Sequence, residues 1–262
     1  MKQIKAWLAV VRKELTIYFA TPIFYITGFF FLLLAGYFFY TNVLYYNIIS
    51  FQAAQQAGNP QIAAQLNPQQ MIFRPLFAVL GIILLFLVPF ITMRLLAEEK
   101  RSGTAELLFT YPLTDWAVIW GKFGAALLIY LILLAFTVSY AVVLGLITAL
   151  DWGAVGAGYL GLVLLGGSCL SLGLFASSLT ENQIVAGVVA FALLLLFWII
   201  GWVQELGGAG LGAVVKYLSL LDHYENFSRG VIDTRDLVYC LSFIYFFLFL
   251  TKRQLESRRW RA

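Results

Sequence analysis

Six stretches of the chain contain no Asp, Glu, Lys or Arg and are almost wholly apolar: Ile23–Tyr40, Leu76–Met93, Phe123–Leu150, Tyr159–Ser177, Ile184–Val203 and Leu237–Leu250. A helix rises ~1.5 Å per residue and the hydrocarbon core of a bilayer is ~30 Å thick, so about 20 such residues make a span. In lipid each backbone polar group must find its partner inside the protein, which makes these runs helices. The third run is long enough to tilt or project beyond the bilayer. The second carries Pro89 near its end, where a kink is expected. The sixth has only fourteen residues and must recruit neighbours such as Thr251 or sit in a thinned region. Composition agrees with this reading: 62% of the 262 residues are apolar and 11% are charged, too few charges for a soluble surface. The expected fold class is an all-α integral membrane protein with six transmembrane helices. The first run starts too late, is too long and lacks a small-residue cleavage site, so it is expected to remain as an anchor rather than act as a signal peptide. Cys169 and Cys240 lie far apart inside apolar runs and are expected to pack or face lipid, not to form a disulfide.

Six spans place both termini on one side. Of the seventeen Lys and Arg residues, thirteen fall in the N-terminal arm, the loop after the second span and the C-terminal tail. The other side receives Arg74, Lys216, Arg229 and Arg235. This bias assigns the thirteen to the cytoplasm, so the expected location is the cytoplasmic (inner) membrane, multi-pass, with both termini cytoplasmic.

The arm, residues 1–21, reads as an amphipathic interfacial helix. Ile4, Trp7, Leu8, Val11, Leu15 and Tyr18 share one face, while Lys2, Lys5, Arg12 and Lys13 share the other, near anionic headgroups. Thr21-Pro22 ends it. The first outer loop, Asn42–Gln70, is rich in Gln, Ala and Asn, carries no charge and reads as a solvated loop, in part helical, broken at Gly58-Asn59-Pro60 and Asn67-Pro68. Asp151-Trp152-Gly153 reads as a turn with an interfacial Trp. Gly166-Gly167-Ser168 and Gly173 in the fourth span suit close helix packing. The last outer segment, 204–236, starts glycine-rich and apolar and then becomes polar and aromatic. It suits a re-entrant segment that caps something, because irregular backbone is tolerated in the bilayer only against protein or water.

One stretch departs from this pattern. "MRLLAEEKRSGTAELLFTYPLTDWAVIWGK", Met93–Lys122, holds eight charges between two uncharged spans. Arg94–Arg101 is expected to continue the second span as helix, with Arg94 and Glu98 one turn apart. Gly103 suits a left-handed helix stop, and Thr104 can cap a short crosswise helix, Ala105–Thr110, with Glu106 in its first turn and Leu107, Leu108 and Phe109 on show. Tyr111-Pro112 ends it, and Thr114 or Asp115 caps the helix returning into the third span. Apolar residues ringed by charge suit a docking site. Four acids among the eight charges exceed what a loop that only sets topology requires.

Several chemistries are missing. There is no phosphate-binding Gly-rich loop, no metal-ligand cluster and no nucleophile–base pair. The single histidine, His223, reads as a hydrogen-bonded surface residue of a loop, with metal binding alongside Asp222 and Glu225 as the lesser alternative. No span interior carries an Asp, Glu, Lys or Arg, which opposes an ion-coupled transporter or channel. The missing catalytic groups oppose a membrane enzyme.

"EEKRSGTAELLFTYPLTDWAVIWGKF" resembles the first cytoplasmic loop of ABC-2-type ABC transporter permeases, with its acidic–basic pair, Gly-Thr, acidic residue, Leu-Leu, Pro, polar cap and Gly-Lys. The resemblance extends to the basic arm, the six spans, the small-residue fourth span and the segment before the sixth. "YLSLLDHYENFSRGVIDTRDLVYCLSF" resembles the gliding-motility-type subgroup of these permeases. The resemblance implies one transmembrane domain over 1–262, with the arm at 1–21, a coupling loop at 94–122 and the outer segment at 204–236. It implies a non-enzymatic permease subunit, in all expectation an exporter, driven by separate cytoplasmic ATPase subunits that hold ATP and Mg. It also implies a second permease chain, identical or related, and spans one, two and five along a central pathway. This chain would hold no cofactor or metal and would contact membrane lipid but no nucleic acid. Glu98, Glu99, Arg101, Thr104, Glu106, Leu107 and Leu108 become the candidate ATPase-coupling residues, and Trp7, Val11, Arg12, Lys13 and Glu14 the second contact, through the arm. Tyr217, His223, Tyr224, Phe227 and Gly230 are the candidate outer gate, with the aromatics packing across the dimer, Gly230 turning the chain and Arg229 reaching Asp233. The rival reading is a mechanical transmitter that passes ATPase motion to a periplasmic partner without moving a solute.

Overall fold

A computed structural model describes residues 2–55, 67–103, 114–203 and 217–259. These residues fold as α1 Lys2–Ala20, α2 Pro22–Gln55, α3 Arg74–Thr92, α4 Ala97–Arg101, α5 Asp115–Ile147, α6 Trp152–Leu179, α7 Gln183–Val203, α8 Leu220–Ser228 and α9 Thr234–Arg259. A π-helical turn, Gln69–Phe73, leads into α3. Six helices, α2, α3, α5, α6, α7 and α9, are long and apolar enough to cross a membrane. The protein is an all-α integral membrane protein.

The polar turns stop and start these helices by capping. Thr114 accepts from the Ala117 amide, Asp151 from Gly153 and Ala154, and Ser219 from Asp222. Asn182 accepts from Ile184 and Asp233 from Arg235. Each satisfies an amide that a helix N-terminus would otherwise leave without a partner.

The centre of the bundle is α6. Every residue from Leu164 to Leu174 is buried. Helices α3, α5, α7, α8 and α9 all pack on it. Its small residues make this possible: a Cβ on Gly158, Gly161, Gly166 or Gly173 would lie 2.0–2.4 Å from an atom of Phe77, Phe227, Tyr130 or Thr92 respectively. The expected packing role of the fourth span holds, and its depth in the bundle exceeds what the runs alone disclosed. By contrast α2 exposes Tyr25, Phe29, Phe30, Tyr37 and Tyr40.

Three spans differ from their apolar runs. Helix α2 does not stop at Tyr40 but continues to Gln55, so Asn42–Gln55 is the helical part of the first outer loop, continuous with the first span. Its 34 residues measure ~51 Å, well beyond a ~30 Å core. The side chain of Asn42 donates to the Ile72 carbonyl and ties this extension to the π turn. The sixth span is not short: α9 has 26 residues. Its run seemed to stop at Asp236, but that carboxylate is buried and bonded to His223 and Asn226, which lets the helix continue through it. The second span does not run straight on into the loop. A turn over residues 93–96 separates α3 from α4.

Candidate functional site

That turn is where the arm, the loop and the third span meet. Helix α1 lies against α5 through Trp7 and Val10, and Gly121 allows the approach. A Cβ there would sit 2.7 Å from Val10 Cγ1. One residue on, Lys122 is 1% exposed. Its ammonium donates to Glu14 Oε1 at 2.7 Å and to the Leu95 carbonyl at 2.6 Å, and stands 2.9 Å from Glu99 Oε1. An ammonium has three donors, and three acceptors surround this one. Lys13 reaches the same Glu99 oxygen at 2.8 Å. Two acids and two bases therefore form a charge-balanced cluster joining α1, α4, α5 and the turn.

Burial alone would raise the Glu99 carboxyl, but Lys122 and Lys13 outweigh it and hold the group below its ordinary range. Burial likewise pulls Lys13 down, while Glu99, with Glu14 and Glu98, pulls it further up, so the net shift is upward. Each group's neighbours thus favour its charged form.

The turn is braced from α6. Ser177 Oγ accepts from the amides of Leu96 and Ala97, both at 3.1 Å, and donates to the Met93 carbonyl. A side chain more than 80 places away in sequence so supplies the N-terminal cap that Leu96 lacks. Lys100 donates to the Ser178 carbonyl. Helix α4 ends at Arg101, and two residues on Gly103, with a left-handed φ of 67°, makes the expected glycine stop.

Among the described coupling candidates of the loop, only Glu99 enters this cluster. Glu98 and Arg101 are exposed on α4. Thr104, Glu106, Leu107 and Leu108, with the crosswise helix expected at Ala105–Thr110, lie outside the described residues. Arg94 does not pair with Glu98. It turns back to Thr21 Oγ1 at 2.7 Å and lies 4.2 Å from the Tyr18 ring centroid. In the arm, Trp7 is half-buried, Val11 and Glu14 are buried, and Arg12 and Lys13 are exposed. Leu8 is exposed, so the face packed on protein is Trp7, Val10, Val11, Glu14, Leu15 and Tyr18 rather than the full apolar face of the wheel. Lys122 was the residue missed: it was counted among the charges of the loop and given no role, yet it is the centre of the cluster. Two signals pointed to it. Glu14 is an acid on an otherwise apolar stripe, and Gly121-Lys122 pairs a close-approach residue with a long cation. Ser177 left no such signal.

At the opposite end, α8 is seated within the same chain. The Tyr224 hydroxyl donates to the Phe77 carbonyl at 2.9 Å, and Phe227 packs on Gly161. They are 3% and 1% exposed, so these rings fill the protomer's own core and are not set to pack across a gap to a second chain. Tyr217 is exposed. His223 is not a surface loop residue: it sits on a helix, buried, with Nδ1 2.6 Å from Asp236, Nε2 3.1 Å from the Tyr217 carbonyl and its ring stacked on Tyr239. Gly230 has φ 85° and makes the sharp turn towards α9. Arg229 bonds Glu225, one turn back, and not Asp233, because α8 ends at Ser228. The glycine-rich part of the expected re-entrant segment, 204–216, lies outside the described residues.

A six-span bundle with an arm locked beside a charged loop defines a multi-pass membrane protein. A family model described as ABC-2 family transporter protein matches residues 8–250. The chain belongs to the ABC-2 transporter family, whose permeases are membrane components and not themselves catalytic. No curated protein matches the chain.

Proposed function

We propose that this chain is the transmembrane permease subunit of an ATP-driven exporter, with both termini and the Lys122 cluster in the cytoplasm of an inner membrane. The family assignment and the placement of thirteen of seventeen basic residues support that orientation. The observation that carries the reading is Lys122, buried between Glu14 of the arm and Glu99 of α4. It joins both candidate ATPase contacts to the third span as one body. The loop leaves this body at Gly103 and returns at Thr114, so a push on residues 104–113 is delivered to α4 and α5 together. ATPase subunits supply the energy from ATP and Mg held on their own chains. A second permease chain, identical or related, covers faces of α2 and α7, the two spans with the least buried apolar windows. The likeness of Tyr217–Phe243 to gliding-motility-type permeases remains part of this reading, on sequence alone.

The test is co-purification. Leu107→Asp with Leu108→Asp places carboxylates where each Leu is expected to bury ~1.5–3 kcal/mol of apolar side chain. The variant is expected to remain monodisperse in detergent and to lose its ATPase. Full retention of the ATPase by a folded variant defeats the coupling assignment.

A further inference from the structure

Helices α2 and α3 leave between them an apolar groove of about 450 Å³. It runs from Ile23 to Leu34 on α2 and from Met93 back to Ile83 on α3. Eleven residue steps at ~1.5 Å make it ~16 Å deep, close to one leaflet of a ~30 Å core. Its flanks are open to the surroundings, with Phe30 57% and Phe86 56% exposed. The groove begins at the end of the bundle that carries α1.

At that end stands Arg94, directly after Met93. It is 6% exposed. Nη1 is spent on Thr21, two residues before Ile23, and Nη2 has no hydrogen-bond partner. Among the described residues no carboxylate pairs with this guanidinium. A buried cation without a counter-anion is costly, and the planar fork of an Arg suits a phosphate.

A groove of one leaflet's depth would by itself name no occupant, and neither would the cation. Their juxtaposition describes an amphiphile with an apolar tail and an anionic head. We infer that the groove holds one acyl chain of an anionic phospholipid from the leaflet on the side of the termini, with its phosphate taken by Arg94. Nη2 is itself inaccessible to solvent, so the phosphate reaches it by displacing the side chains that cover it, and exchange is slow. This inference does not depend on the proposed transport role.

The test uses the full chain, delipidated in detergent and titrated with dioleoyl-phosphatidylglycerol, with bound lipids counted by native mass spectrometry. One saturable lipid per chain is expected. Arg94→Gln removes the charge-assisted bond and is expected to weaken phosphatidylglycerol about tenfold while leaving phosphatidylcholine unchanged. Thr27→Trp fills the groove and is expected to weaken both lipids alike. If Thr27→Trp is not monodisperse on gel filtration, Ile26→Trp in the exposed wall replaces it. Wild-type binding in both variants overturns the inference. Displacement of the lipid by inorganic phosphate alone overturns it in favour of a simple anion site. Unchanged lipid binding with loss of a dimer on Thr27→Trp overturns it in favour of a second copy of the chain.

Discussion

Lys122 shows how a membrane protein accommodates a buried charge. Its cost is offset only while Glu14, Glu99 and the Leu95 carbonyl all remain in place. Lys122→Met leaves Glu14 buried without a counter-charge and is expected to destabilise the protein by about 3–5 kcal/mol. Adding Glu14→Leu removes the orphaned carboxylate, so the double variant is expected to recover most of that loss. Thermal unfolding in detergent compares the two, and a single variant as stable as the parent contradicts the role given to Lys122. Glu99 adds a pH dependence. Its folded value lies below its ordinary 4.5, so its contribution is fully present above that pH and is lost as pH falls through the folded value. Lys13 is shifted the other way, so its share is present below its ordinary 10.5 and is lost only as pH rises through a still higher folded value. The stability gap between the parent and Glu99→Gln is therefore expected to be constant from about pH 6 to 9 and to close below about pH 4.5. A gap that persists in acid contradicts the pairing. Little of this was legible in the sequence, because the Met93–Lys122 charges could be counted but not paired. Glu99 is 23 places from Lys122 and Glu14 is 108, and such partners are set by how helices pack.

At the scale of elements, runs and caps were the legible part. The cores of all six spans, the Gly103 stop and the Thr114 cap follow from local chemistry, and local chemistry is what a sequence displays. The helix ends at Gln55 and Arg259 were hidden, because polar residues outside the bilayer carry no hydropathy signal. The burial of Tyr224 and Phe227 was hidden too: an aromatic in a polar segment looks the same whether it packs on its own chain or on another. The small residues of α6 make the packing testable. Gly166→Ala pushes a Cβ to 2.2 Å from the Tyr130 ring and is expected to cost about 1–3 kcal/mol. Gly156→Ala, on the same helix with nothing within 4 Å, is expected to be neutral or to stabilise by up to about 1 kcal/mol. Equal unfolding temperatures for the two variants contradict α6 as the packed centre.

For the whole molecule, six spans fix which turns share a side. Cys169 and Cys240 are buried, so replacing them with Ala clears the background for single-cysteine reporters. Reporters at Trp152 and Arg229 are expected to label from outside intact cells, while those at Ser102, Asn182 and Ser257 are expected to label only after the membrane is opened. External labelling at Ser257 contradicts six spans with both termini inside. The cluster and α2 also combine into something neither shows alone. Helix α2 is a continuous rod of ~51 Å, begun at Pro22 beside the Arg94–Thr21 contact. A rod held at its charged end has the geometry of a lever arm. A tilt of about 10° at that end carries Gln55 through ~9 Å, so displacements too small to break a packed joint become large ones beyond the far face of the bilayer.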